Sequence, residues 1–151
     1  MRVMGVDFGA RRIGVAVSDP GGRIASPLCV LEATGDYDED ARRVAELARE
    51  HGAELIVVGL PRTLRGTDES AARAAGQFAD CLQHGAGMRV VLWDERLTSV
   101  QAERAMAEAG LSARQRREQM DKVAAALILQ SYLDARHAKK NSRKGPGRAS
   151  S

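Results

Sequence analysis

Val3-Met4-Gly5-Val6-Asp7-Phe8-Gly9-Ala10-Arg11-Arg12-Ile13-Gly14-Val15-Ala16-Val17-Ser18-Asp19 reads as two strands joined by a tight, basic turn. Both runs are rich in Val and Ile, and Gly9 supplies backbone freedom where the chain reverses. Asp7 stands near the end of the first run with apolar neighbours on both sides. An ionised carboxylate there is costly to bury unless a cation or several amide donors compensate it. Two readings stay open on spacing alone: an Asp that accepts hydrogen bonds from its own turn, or a metal ligand at a strand end.

Outward from this hairpin, Asp19-Pro20-Gly21-Gly22 is a turn signal, which makes Asp19 a turn residue. Arg23 to Leu31 continues as a third strand, weakened by Pro27, and three strands so closely connected should pair antiparallel. Asp36 to Asp40 supplies an acidic helix start, Ala41, Val44, Leu47 and Ala48 follow at helical spacing, and Gly52 closes the helix. Leu55-Ile56-Val57-Val58 is apolar on both faces, as a strand inside a parallel sheet is. The stretch Gly59 to Thr67, with Arg62 and Arg65, then reads as a loop leaving the carboxyl end of that strand, where open α/β sheets hold ligands. Thr67 or Asp68 caps an Ala-rich helix to about Leu82.

Arg89 to Trp93 is a fifth strand that runs into Asp94-Glu95-Arg96, with Trp93 expected in the core. Thr98-Ser99-Val100-Gln101 fits a capping box for a helix ending at Gly110. Ser112 begins a basic helical stretch, and a final helix starts near Asp121 with Val123, Ala124, Leu127, Ile128, Leu129, Tyr132 and Leu133 as its apolar residues. From Ala138 onward no core-forming face remains. The expectation is an α/β fold whose five-stranded mixed sheet, three antiparallel strands then two parallel, is flanked by helices. The domain spans 1–137, and 138–151 form a basic disordered tail.

Aromatic residues are only 3% of the chain, so the core must be built from Val, Leu, Ile, Ala and Met. The same scarcity argues against an extended surface of stacked aromatics for single-stranded bases. No apolar run approaches the roughly 20 residues of a membrane span, and the chain opens directly in a strand, with no signal peptide expected. Cys29 and Cys81 have separate apolar contexts and read as buried free thiols of a cytosolic protein. The net charge of +3 is unevenly placed: six basic and no acidic residues follow from Arg136, against 17 basic and 20 acidic before it. Such asymmetry suits a polyanion partner or a solvated tail.

Three acids stand out by position. Asp7 ends the first strand, Glu95, beside Asp94, ends the fifth, and Asp121 opens the last helix. If strands one, four and five are parallel neighbours, the first two emerge on one edge, and a docked helix brings the third. Hard divalent ions take oxygen ligands, and two ions about 3.5–4 Å apart serve phosphodiester hydrolysis well. The bland alternatives are an ion pair of Glu95 with Arg96 and a helix-start charge at Asp121.

Four blocks then carry a resemblance: Asp7 to Asp19, Gly59-Leu60-Pro61, Asp94-Glu95-Arg96-Leu97-Thr98-Ser99, and Asp121 to Leu133. In that order, across residues 1–134, the chain resembles the YqgF (RuvX) family of RuvC-like nucleases. The resemblance implies a ribonuclease H-like fold and a cytoplasmic bacterial nuclease that trims the 5′ end of precursor 16S rRNA, with Holliday-junction resolution proposed for relatives. It implies that Asp7, Glu95 and Asp121 are the catalytic, metal-binding residues, with Mg²⁺ or Mn²⁺ as cofactor. The partner would be structured nucleic acid, pre-16S rRNA or branched DNA, and no membrane, with the protein a monomer or homodimer. Arg11, Arg12, Arg62, Arg65, Arg96, Lys139 and Lys140 are the candidate phosphate contacts. Two departures from the resolvases stand out: Gly59-Leu60-Pro61 replaces an acid after the fourth strand, and the last helix offers only Asp121. Two other classes remain: an actin-like or sugar-kinase-like ATP-binding lobe, which needs a second lobe that 151 residues do not supply, and a non-catalytic RNA-binding ribosome assembly factor.

Overall fold

β1 (Arg2–Phe8) is the centre of the sheet, flanked antiparallel by β2 (Arg12–Ser18) and parallel by β4 (Ala53–Leu60). β3 (Ala25–Glu32) lies outside β2, and β5 (Val90–Asp94) runs parallel outside β4, which gives the order β3-β2-β1-β4-β5. The computed structural model describes residues 1–60, 69–94 and 113–143, with side chains in the last helix given for 122–139. The mixed sheet expected from the sequence is the sheet observed.

Two layers of helix cover it. Met4, Val6 and Phe8 of β1, with Ile13, Val15, Ile56 and Val58, face α1 (Tyr37–Glu50) and α2 (Glu69–Asp80). The alternate residues Val3, Ala16, Leu55 and Val57 face α3 (Ala113–Arg143), which contributes Ala125, Ile128, Leu129 and Leu133. A period of two on strands buried on both sides produces these two apolar faces. α3 approaches β1 closely at Gly5: a Cβ there would stand 2.7 Å from Leu129 Cβ and 2.9 Å from the Ala125 carbonyl oxygen.

Local chemistry explains the connections. Asp36 caps α1 by accepting from the Asp38 and Glu39 amides, and Gly52 takes φ +69 after its end. Asp40 is fully buried but satisfied: it accepts from the Thr34 amide and hydroxyl and from Arg43. Cys29 and Cys81 are free thiols, and burial is the main cause that pushes Cys81 up to about 11.

Asp19 is the turn residue expected. Its Oδ1 accepts from the Arg23 and Ile24 amides at 2.7 and 2.8 Å. The Ile24 bond first, then that from Arg23, holds its carboxyl below the ordinary value of 3.8. A depressed folded-state pKa stabilises fully above the unfolded value and is lost as pH falls through the folded one. Wild type should therefore melt above Asp19→Asn at neutral pH, with the gap closing as a series of melts is taken below about pH 4.

Several boundaries differ from expectation. β3 begins at Ala25, not Arg23. β4 continues through Gly59 and Leu60, because these pair with Trp93 and Asp94 of β5 instead of opening a loop. α2 stops at Asp80 and leads into a π-helical turn, Cys81–Gly85. The two helical stretches expected from Ser112 and Asp121 are one helix, since no Gly or Pro interrupts them. The same helix continues past residue 137 as far as Arg143, the last described residue, because Ala138, Lys139 and Lys140 are good helix formers added to an existing helix. Trp93 is half-buried against Tyr132 on an edge strand and donates Nε1–H to Ser131 Oγ at 3.1 Å. The helix expected to end at Gly110, and the Thr67 or Asp68 cap, lie outside the described residues.

Candidate active site

The register of the sheet fixes what surrounds Asp7. Across the antiparallel ladder its partner is Gly14. Across the parallel ladder the last pair is Val6 with Val58, and Gly59, the residue after Val58, is level with Trp93 of β5. Asp7 therefore has a glycine, Gly14, directly beside it on β2, with no side chain at that position. Gly in a strand interior often marks the close approach of a ligand or another backbone. Alternation from Val3 and Gly5 puts the half-buried Asp7 on the α3 face of the sheet.

The direction of α3 follows from three contacts. Ala125 and Leu129 cross β1 at Gly5. Gln130 accepts from the Ala25 amide at 2.8 Å and donates to the Arg23 carbonyl. Further on, His137 Nε2 lies 3.0 Å from the Gly22 carbonyl oxygen, beside Met1. The later part of α3 thus lies at the start of β1, and its earlier turns head toward the end of β1. From the crossing, Asp121 is about 6 Å along the helix and Asp7 about 6.6 Å along the strand, in the same direction. The turns of α3 that precede the crossing, Asp121 among them, therefore run toward the end of β1 that carries Asp7.

The third acid follows Asp94, the last residue of β5, but Glu95 itself lies outside the described residues. So do Arg62, Arg65 and Arg96, and the side chain of Asp121. Among the described residues no group of three His, Cys, Asp or Glu stands close enough to hold a metal. The described part of the proposed set is Asp7, a hard oxygen donor at a strand end, which suits Mg²⁺ or Mn²⁺ and not a thiophilic ion.

Of the candidate phosphate contacts, Arg11 is exposed in the β1–β2 turn beside Asp7, and Arg12 is half-buried as the first residue of β2. Lys139 and Lys140 are elsewhere. They follow His137 at the other end of α3, so they do not join Arg11 and Arg12 at the Asp7 edge. Sequence reasoning missed a cleft on the opposite face of the same strand end, walled by Phe8 and Tyr37. The available signal was an aromatic directly after Asp7 with another at a helix start.

Comparison with known proteins agrees with this architecture. A relative from Pelotomaculum thermopropionicum, provisionally named a pre-16S rRNA nuclease, is 47% identical over 135 residues, covering 89% of this chain and 88% of its own. A relative of the same name from Desulforudis audaxviator is 44% identical over 141 residues, covering 93% and 99%. Among solved structures, Thermus thermophilus RuvC in complex with a Holliday junction substrate superposes with a TM-score of 0.56 at 19% identity, over 91% of this chain and 96% of that one. At that identity the match establishes the RuvC-type, ribonuclease H-like fold. The family model described as RuvX, Holliday junction resolvase, matches residues 1–135, and the chain belongs to that family.

Proposed function

We propose that this chain is a metal-dependent nuclease that hydrolyses phosphodiester bonds in structured nucleic acid, with the 5′ end of precursor 16S rRNA as its substrate. One observation carries the reading: a half-buried carboxylate, Asp7, stands near the end of the central strand of a RuvX-family sheet, beside Gly14 of β2. The names of relatives from two bacteria support the choice of RNA.

Asp7, Glu95 and Asp121 would hold Mg²⁺ or Mn²⁺, which supplies an activated water and charge stabilisation at the leaving oxygen. Asp7 contributes a ligand whose backbone is fixed by its pairing with Gly14 of β2, so its carboxylate needs little reorganisation. Arg11 is an exposed guanidinium two residues past Gly9, suited to a non-bridging phosphate oxygen in a planar fork. Contacts of that kind set position and not sequence.

The test offers a precursor 16S rRNA fragment and a four-way DNA junction side by side, with Mg²⁺, Mn²⁺ or chelator. The expected result is metal-dependent cleavage of the RNA near its mature 5′ end and little cutting of the junction. Junction cleavage with intact RNA would make the protein a resolvase. RNA binding without cleavage under any metal condition would make it an assembly factor.

A further inference from the structure

The strand end that carries Asp7 has a second feature on its other face. Phe8 directly follows Asp7, with its Cα about 3.8 Å away, and its side chain points toward α1 and α2. There a cleft of about 300 Å³ opens between the β1–β2 turn, the start of α1 and the start of α2. That volume is at the small end of ligand pockets.

Its walls select a class of occupant. Phe8 is held in place by stacking on Phe78 at 4.3 Å and by Tyr37 at 5.6 Å and 58°. Tyr37 is only half-buried, so part of its ring faces the cleft. Gly9, Ala71 and Ala74 keep the remaining wall low, and Ser70 puts an exposed hydroxyl at the rim. Among the described residues no basic side chain lines the cleft, and the one charged residue they place there, Asp40, already accepts from Thr34 and Arg43. Against these described walls a phosphate finds no cation and meets a carboxylate. A neutral, planar, aromatic group finds an aromatic wall and room for one ring system, and stacking is available to any base because every base has a π-face.

We propose that this cleft receives one unstacked nucleobase from the strand whose phosphate lies at Asp7. The inference rests on the nuclease reading. A strand laid over the carboxyl end of β1 passes Gly9 between the two faces, with its phosphate on the Asp7 side and the neighbouring base on the Phe8 side. The cleft then recognises a nucleotide that is unpaired next to the cut, which explains how a site with non-specific phosphate contacts chooses a position on a folded molecule. RNA is read mainly through such unstacked bases.

The experiment uses the full chain, without metal so that nothing is cut. The probe is an RNA hairpin with a single-stranded 5′ extension, carrying 2-aminopurine at successive positions of the extension and an anisotropy label at its end. Wild type should bind and quench 2-aminopurine at one position. Tyr37→Ala should abolish that quench and weaken binding roughly tenfold, whereas Tyr37→Phe should keep it. Ala71→Trp, which fills the cleft without removing a core contact, should act like Tyr37→Ala and guards against a Tyr37→Ala variant that fails to fold. Binding by anisotropy with no quench at any position, or a quench unchanged in Ala71→Trp, overturns the base site and leaves the cleft to an apolar side chain of a protein partner. Absence of binding overturns the nucleic-acid reading itself, and this inference with it.

Discussion

Asp7→Asn is expected to fold as the wild type does, to lose cleavage by roughly 10⁴-fold, the order seen when a catalytic carboxylate is removed from a hydrolase, and to stop responding thermally to metal. The last outcome needs no substrate. A divalent ion that binds only the folded protein stabilises it by linkage, by roughly 2.7 kcal/mol at a hundred times its dissociation constant. For a domain of this size that is a rise in Tm of roughly 5–10 °C. Wild type should show it in millimolar Mn²⁺ or Mg²⁺ by differential scanning fluorimetry, and Asp7→Asn should lose most of it. Glu95→Gln and Asp121→Asn should lose part of it. Asp19→Asn is the control, because its carboxylate is committed to the Arg23 and Ile24 amides at the other end of the hairpin. A full metal response in Asp7→Asn would return Asp7 to the role of a turn residue and remove the proposed site.

The hairpin and the position of Asp7 were legible because local chemistry decides them: a run of Val and Ile, a glycine at the reversal, and an Asx turn at Asp19. The parallel arrangement of β1, β4 and β5 was legible because a strand that is apolar on both faces needs cover on both faces. What was not legible is decided by partners distant in sequence. Gly59 and Leu60 carry a loop signature, and only the pairing with Trp93 and Asp94 makes them strand. The sense in which α3 crosses the sheet depends on Gly5, Gln130 and His137 meeting residues far away in the chain. That sense points the early turns of α3 toward the Asp7 end of β1 and its later turns, with Lys139 and Lys140, toward the start of β1. A charge count along the chain has no means of separating the two ends of one helix.

The same crossing predicts the largest effect on stability. Gly5→Ala places a Cβ 2.7 Å from Leu129 Cβ and 2.9 Å from the Ala125 carbonyl oxygen. Neither atom is the far end of a flexible side chain, so α3 must lift from β1 as a body. Overpacking of this kind costs about 1–3 kcal/mol, against at most about 1 kcal/mol gained by removing a strand glycine. Gly5→Ala should therefore lower Tm by several degrees, and Gly5→Val by more. Leu129→Ala should not rescue Gly5→Ala, because the Cβ that clashes is still present. Gly76→Ala is the contrasting case: it lies in α2 with nothing among the described residues within 4 Å of an added Cβ, and should stabilise by up to about 1 kcal/mol. Lifting α3 also moves the backbone of Asp121 relative to Asp7, which gives Gly5→Ala a second signature. Even where it is fully folded, its thermal response to Mn²⁺ should fall below that of the wild type, whereas Gly76→Ala should keep the whole response. A Gly5→Ala variant that melts like the wild type would mean that α3 does not cross β1 at this glycine, and the approach of Asp121 to Asp7 would lose its support.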